Sequence, residues 1–167
     1  MYVEFKTEFF QRLQKINKPS FMRRLVNRAG VVAVNFSKER FVRKDWLDGN
    51  SRDVWKKRQK PDKGSLMVRS GRLKRSIRKM SEGDYYVYIG TDVPYAKVHN
   101  EGGEIKKTAN VRSFSRVRKG RTERVKSHRR KINLKMPKRQ FLGDSKALAK
   151  RIERFANVEI NNEIQKL

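Results

Sequence analysis

The stretch VYIGTDVPYAKVHNEGG, residues 87–103, decides how the middle of this chain folds. It begins with alternating β-branched and aromatic residues, which predict a strand. Val93 precedes a proline and is therefore held extended, and Pro94 presets φ for the first turn of a short helix. Gly102 and Gly103 then let the chain reverse into the next strand. The stretch is predicted to form a strand–turn–strand corner.

His99 has a structural and a catalytic interpretation in this corner. In the structural one, its ring bonds backbone carbonyls at the end of the short helix and locks the corner. In the catalytic one, His99, Asn100 and His128 form a metal-dependent nuclease. We favour the structural role because His128 lies in a weakly patterned segment, whereas metal ligands need rigid support.

Other catalytic and metal chemistry has little support in the sequence. The chain has two histidines and no cysteine, which excludes thiolate zinc ligands and a cysteine nucleophile. Phosphate-cradling loops and nucleophile elbows are also missing. Three carboxylates near the corner show no known magnesium-ligand spacing: Asp92, Glu101 and Glu104. We predict that the protein is not an enzyme and needs no cofactor.

The charge of the chain predicts a polyanionic partner. Lys and Arg total 44 against 17 Asp and Glu, a formal net charge of +27. Nucleic acid is the default partner for such an excess, with an acidic protein surface as an alternative. Glu4 and Glu8 interrupt the apolar N-terminus, which argues against a signal peptide. Because no run approaches the ~20 apolar residues of a membrane span, we expect no membrane partner and synthesis in the cytoplasm.

Two helices are predicted near the N-terminus. Apolar residues spaced by four, four and three indicate a first helix over 3–17: Phe5, Phe9, Leu13 and Ile16. Pro19 ends this helix, and Ser20 caps a second one that runs through Phe36. Trp46 and Trp55 flank a turn signal, and we expect them to pack on the core rather than stack on bases.

The segment SLMVRSGRLKRSIRKM, residues 65–80, predicts a short helix followed by a hairpin. Ser70 is the predicted helix cap, and Leu73 and Ile77 lie four apart on one face. Residues 76–81 are predicted to form, or lead into, the strand that pairs with the beginning of the corner stretch.

Residues 104–135 form a basic segment with few apolar residues and no sustained period. Such a composition buries too little surface to offset its ordering entropy. We predict a mobile basic loop or an extended hairpin, with transient strands around Val111, Phe114 and Val117.

A terminal helix is predicted to close the chain. Pro137 and Gly143 bracket an extended segment, and Asp144 is the predicted cap of a helix that packs on a sheet. The fold class is α+β, a small antiparallel sheet packed with N-terminal helices and a C-terminal helix. We expect one domain over 1–167, made of N-terminal helices (1–45), turn, short helix and strands (46–103), the basic segment (104–135) and the closing segment and helix (136–167).

Three stretches in this order resemble the virion-morphogenesis, or tail-completion, family of tailed bacteriophages. LMVRSGRLKRSI resembles a Ser-Gly-x-Leu-x-x-Ser-Ile element of that family. VYIGTDVPYAKVHNEGG resembles its Ile-Gly-Thr, Pro-Tyr-Ala and His-x-x-Gly-Gly element, and MPKRQFLGDS its Pro-x-Arg-x-Phe-Leu-Gly element. The resemblance covers roughly residues 30–155. The motif positions, which we interpret as structural, are Ser70, Gly71, Leu73, Gly90, Pro94, Tyr95, His99, Gly102, Gly103, Pro137, Arg139, Phe141, Leu142 and Gly143.

The resemblance implies a structural virion protein of the head–tail junction, a neck, tail-completion or tail-terminator component. It implies a homo-oligomeric ring, a hexamer or dodecamer, that contacts other neck, connector and tail proteins. Phe141 and Leu142 could pack in the core or enter a neighbouring subunit, and we favour the core.

The basic segment is the predicted contact surface for packaged DNA or for an acidic protein. Composition alone does not distinguish these two partners. The contact residues are Lys106, Lys107, Arg112, Arg116, Arg118, Lys119, Arg121, Arg124, Lys126, Arg129, Arg130 and Lys131. The alternative to a phage structural role is a stand-alone basic nucleic-acid-binding protein, ribosomal or nucleoid-like in composition. A metal-dependent nuclease is the weakest alternative.

Overall fold

The computed structural model describes residues 18–59 and 63–166. The first element in these residues is helix α1 (Pro19–Arg43). Pro19 occupies the first turn of this helix, where a missing N–H is harmless, and Lys18 is the N-cap. Ser20 therefore lies inside the helix, and its prediction as the cap is wrong. The first helix predicted over 3–17 lies outside the described residues.

The other elements follow in chain order. They are β1 (Asp45–Asp48), β2 (Ser51–Val54), α2 (Arg72–Ser76), β3 (Arg78–Glu82), β4 (Val87–Gly90), α3 (Ala96–Glu101), β5 (Gly103–Val111), β6 (Phe114–Arg118), β7 (Arg121–Val125), β8 (His128–Met136) and α4 (Lys146–Gln165). The described strands pair antiparallel in four two-stranded sheets, β1–β2, β3–β4, β5–β8 and β6–β7. The α+β prediction is confirmed, although the strands form separate hairpins rather than one sheet.

The predicted hairpin around Gly83 is present and packs on helix α1 at Gly30. Val87 and Ile89 of β4 are half-buried, whereas Tyr88 between them is exposed. A Cβ at Gly30 would lie 2.8 Å from a methyl carbon of Val87 and 3.0 Å from the Lys79 side chain. Gly30 therefore lets the hairpin approach the helix closely, although glycine lowers helix propensity.

An aromatic core joins the end of α1 to later segments. The ring of Phe41 meets Trp55 edge-on at 5.4 Å and Phe141 at 5.0 Å between centroids. Trp46 meets Phe36 edge-on at 5.8 Å. Both tryptophans are buried, so the prediction that they anchor the core is confirmed. Such ring pairs add about 1 kcal/mol each beyond the area that they bury.

A buried ion pair fixes the end of α1 to β1. The Arg40 Nη1 atom lies 2.7 Å from Asp45 Oδ1, and both side chains are almost fully buried. The guanidinium also lies over the Phe36 ring at 4.7 Å. Because removal of either partner would leave a buried charge unpaired, this contact tolerates loss of one member poorly.

Helix α4 begins at a Ser145 cap and lies along α1. The Ser145 hydroxyl accepts from the Leu148 N–H at 3.1 Å and donates to the Leu47 carbonyl at 2.6 Å, so the predicted cap at Asp144 is one residue early. Ion pairs Arg24–Glu163, Arg28–Glu159 and Arg151–Glu39 connect the two helices. The terminal helix thus packs chiefly on a helix, not on a sheet as predicted.

The close approach at Gly30 leads to a first prediction. We expect Gly30→Ala to destabilise the protein by about 1–2 kcal/mol, because overpacking against Val87 outweighs the gain in helix propensity. In the background of Val87→Ala the same change should become neutral or stabilising. Urea unfolding of the two single variants and the double variant measures this coupling. Additive effects would contradict the proposed contact.

Candidate functional site

The corner after β4 is confirmed in the structure. Helix α3 follows Pro94, and Gly102 and Gly103 have φ of +78° and +138°. A Cβ at Gly102 would lie 2.8 Å from the Lys138 amide nitrogen. Only glycine combines that backbone conformation with such close approach of another chain segment. The corner is therefore built to receive the segment that follows β8.

Asn100 binds that returning segment, residues 137–143, through three hydrogen bonds. Its Oδ1 atom accepts from the N–H groups of Phe141 and Leu142, both at 2.9 Å. Its Nδ2 atom donates to the Leu142 carbonyl at 3.0 Å. These contacts, called here the Asn100 clamp, satisfy backbone groups that no sheet or helix satisfies. The sequence analysis considered Asn100 only as a nuclease residue. The one sequence signal for its structural role was its position two residues before Gly102 and Gly103.

His99 lies beside the clamp but does not lock the corner with its ring. Its backbone carbonyl accepts from the Arg139 N–H at 2.8 Å, whereas its ring packs edge-on against Tyr95 at 5.8 Å. The buried Nδ1 atom has no hydrogen-bond partner among the described residues. The predicted ring-to-carbonyl bond is therefore wrong. Burial, and then the charge of Arg139, lower the pKa of His99 below its ordinary value of 6.5.

Two further hydrogen bonds attach the returning segment to the chain beyond β2. The Trp55 indole N–H donates to the Gln140 carbonyl at 2.9 Å, and Arg139 Nε donates to the Lys56 carbonyl at 3.0 Å. Phe141 is fully buried in the aromatic core, and Leu142 packs beside it. Phe141 thus belongs to the core of its own chain, as favoured from the sequence.

The short helix predicted after Ser70 is α2, and its apolar residues enter the same core. Leu73 and Ile77 are buried against Val93. Gly71, with φ of +73°, occupies the cap position, so the prediction of Ser70 as the cap is one residue early. The Ser70 hydroxyl accepts from the Arg72 N–H at 3.4 Å. The three motif stretches, far apart in sequence, thus meet around one core.

The basic segment forms a long hairpin, called here the arm (103–136). Strands β5 and β8 pair from Gly103–Met136 at the base to Val111–His128, and β6 and β7 continue towards the tip. At about 3.3 Å per residue, the arm could extend up to about 50 Å. Of the two predicted forms, mobile loop or extended hairpin, the structure has the hairpin.

The base of the arm has an apolar face and a cationic face, because paired residues point to the same side of a ribbon. The apolar face carries Ile105, Ala109, Val111, Ile132 and Leu134. The cationic face carries Lys106, Arg129, Lys131 and Lys135. The sequence interpretation that apolar residues here lack a period is wrong for this part. Lys107 and Arg130, which lie on the apolar face, obscured the alternation.

The arm has a large unpaired positive charge. Its thirteen Lys and Arg against two Glu give a net charge of +11. Glu104 pairs with Lys106 at 2.9 Å, and Glu123 pairs with Arg116 at 3.2 Å. The other arm cations form no ion pair with any described residue. Ten of the twelve predicted contact residues are therefore exposed and have no counter-charge among the described residues.

Three cations surround the turn at the tip of the arm. Arg118 and Arg121 lie directly opposite each other, and the turn between them is Lys119–Gly120. Like charges at opposite positions destabilise a ribbon. Lys119 also adopts a left-handed conformation, with φ of +50°, which is unfavourable for a residue with a side chain. The tip therefore carries repulsion that a bound polyanion would relieve.

The structure does not bring the two histidines together. His128 pairs with Val111, eight residues along β5 from the base and hence about 27 Å out along the arm. Within residues 18–59 and 63–166, no group of three His, Cys, Asp or Glu is arranged to hold a metal ion. The nuclease site predicted from His99, Asn100 and His128 is thus not assembled. None of the described helices is long and apolar enough to span a membrane.

The Asn100 clamp leads to a second prediction. We expect Asn100→Ala to lower the free energy of unfolding by about 2–4 kcal/mol, since it leaves partly buried backbone groups unsatisfied. Asn100→Asp keeps both acceptor contacts and should cost less. The exposed Asn110→Ala is the control and should change stability by no more than about 0.5 kcal/mol. Equal effects of the two alanine variants in urea unfolding would disprove the clamp.

The burial of His99 leads to a third prediction, on pH. Because the pKa of His99 is lower in the folded than in the unfolded chain, the unfolded chain binds more protons below about pH 6.5. Stability should therefore fall from pH 7 to 5, by at most about 1.4 kcal/mol per pH unit for one group. The lowered pKa values of Glu39 and Glu82 act at more acidic pH.

Urea unfolding at several pH values in this range measures the effect. His99→Gln should flatten the dependence, whereas His128→Gln, at an exposed position, should leave it unchanged. A wild-type slope that persists in His99→Gln would contradict the assignment.

Comparison with known proteins bears on the family of the chain. Neither the curated proteins nor the solved structures gave a match. The model of the phage virion morphogenesis family matches residues 6–160, most of the 167-residue chain. Such coverage shows the family, as the resemblance of the three motif stretches led us to expect. The chain therefore belongs to the phage virion morphogenesis family and has a structural or assembly role in the phage virion.

Proposed function

We propose that this protein joins head and tail at the junction of the virion, as one subunit of a ring, and that its arm contacts the DNA that passes there. The observation that carries the proposal is the arm itself, a hairpin of net charge +11. Its base is attached to the core through the Asn100 clamp. An extension with this charge is well suited to contact with a polyanion.

The form of the arm favours nucleic acid as that polyanion. A two-stranded ribbon fits the major groove of a DNA duplex, and the tip presents three cations around one turn: Arg118, Lys119 and Arg121. Contacts to phosphates are independent of sequence, as packaged DNA requires. An acidic surface of a neighbouring protein is the competing partner, and the experiments below distinguish it.

Exposed apolar surfaces support assembly into a ring. Met80, Tyr85, Tyr86 and Tyr88 are between 49% and 69% exposed on and beside the β3–β4 hairpin. Leu134 on the apolar face of the arm is 51% exposed. Apolar groups grouped in this way commonly mark protein interfaces. Two different surfaces on one chain suit head-to-tail contacts, which close into a ring when the rotation permits.

Particles produced without this protein test the joining role. We expect DNA-filled heads and separate tails in electron micrographs, with infectivity restored when the protein is supplied in trans. Infectious virions of normal appearance would contradict the proposal. A block before DNA packaging would also contradict it, because the proposed step follows packaging.

Binding of duplex DNA to the purified chain tests the arm. We expect the substitution of Arg118, Arg121, Arg124 and Arg129 by Gln to lower the slope of log K against log salt concentration by about 3–4. The control replaces four exposed cations outside the arm by Gln, namely Lys97, Lys146, Lys150 and Arg154. It removes the same charge and should change the slope by less than about one.

Equal slope changes in the two variants would show that net charge alone drives binding. If the arm variant bound DNA normally and still failed to join heads to tails, the arm would contact an acidic protein instead. Either outcome would overturn the DNA contact, whereas only the particle experiment decides the joining role.

A further inference from the structure

A cleft of 560 Å³ lies beside the corner. Its cationic lining includes Arg58, Arg72 and Arg139. Its apolar lining includes Leu66, Met67 and Val68. No carboxylate of the described residues lines this cleft. It therefore combines positive charge with apolar surface.

Arg139 is the most unusual group in the cleft, because it is only 6% exposed and charged. Its Nε atom donates to the Lys56 carbonyl, but it forms no ion pair with any described residue. Burial, and then the charge of Arg58, lower the pKa of Arg139. A buried guanidinium without a counter-charge is costly, and an anion that enters the cleft would remove this cost.

His99 adds a second polar group that lacks a partner at the same place. It lines the cleft, and its buried Nδ1 atom has no hydrogen-bond partner among residues 18–59 and 63–166. That atom is closed to solvent, so the arginines supply the hydrogen-bond donors that a ligand in the cleft would reach. A carboxylate can accept two hydrogen bonds from one guanidinium. The polar side of the cleft thus matches the acceptors of a carboxylate.

The loop around Met67, which lines the cleft, is strained and carries apolar side chains. Met67 has φ of +62°, and the loop around it is closed by a hydrogen bond of 2.9 Å from Val68 N–H to the Ser65 carbonyl. Left-handed backbone at a residue with a side chain costs about 1–2 kcal/mol, and such strain is frequent where a protein binds a ligand. The loop contributes apolar side chains to the same cleft that the arginines line.

We propose that this cleft binds a peptide segment of another virion protein, one that carries a carboxylate next to an apolar side chain. The mixed lining favours a peptide over nucleic acid, whose phosphates would face the apolar loop. The depth of Arg139 also favours a side chain that can enter the cleft. This inference goes beyond the proposed function and does not require that the arm contact DNA.

Fluorescence anisotropy with the full-length protein tests the proposal. The probe is a labelled decapeptide of alternating Leu and Asp, compared with peptides of alternating Leu–Asn and Ser–Asp. We expect the Leu–Asp peptide to bind more tightly than either. Arg139→Met should weaken binding about tenfold or more, because a charge-assisted hydrogen bond is lost. Arg124→Met, on the arm, removes the same charge and should have little effect.

A second variant and an NMR measurement keep the test decisive if Arg139→Met folds poorly. Arg72→Met changes an exposed residue of the cleft and should weaken the same peptide. The ring signal of His99 should shift on peptide addition, while that of His128 stays in place. Equal losses in Arg124→Met and the cleft variants would overturn the proposal. So would tighter binding of a twelve-residue oligothymidylate that competes for the His99 signal.

Discussion

The Asn100 clamp closes a 34-residue excursion of the chain, the arm, onto the core. Closing a loop of this length costs about 3 kcal/mol of chain entropy. Three hydrogen bonds at about 1 kcal/mol each offset that cost, and burial of Phe141 adds about 2–3 kcal/mol. Gly102 makes the arrangement possible, because any side chain there would collide with the returning backbone at Lys138.

This closure explains why a highly charged arm can be ordered at all. An isolated two-stranded hairpin is marginally stable in water, and cross-strand repulsion at Arg118 and Arg121 weakens this one further. The base, in contrast, is held by the clamp and by its half-buried apolar residues, such as Ile105 and Ile132. We therefore expect order to decline from base to tip, and the tip to gain most from a bound polyanion. The Asn100 clamp thus attaches to the core the charged arm for which we propose a role in assembly.

Local patterns predicted much of this fold, and long-range contacts account for what they missed. The β4 strand, the corner and the aromatic core followed from alternation, Pro94 and the bulk of Trp55. The Asn100 clamp spans 41 and 42 residues, and no local period reports such a bond. The same holds for burial of Arg139, whose charge predicts exposure. The nuclease hypothesis failed because the hairpin places His128 far out along the arm, away from His99 and Asn100.

Hydrogen exchange of individual amides, followed by NMR, tests the central claim most directly. If the clamp anchors the arm, the Phe141 and Leu142 amides should exchange only with global unfolding. Protection along β5 and β8 should then decrease steadily from the Gly103 end to the Val111 end. Rapid exchange at Phe141 and Leu142 while helix α1 stays protected would contradict the account, as would an arm whose base exchanges as fast as its tip.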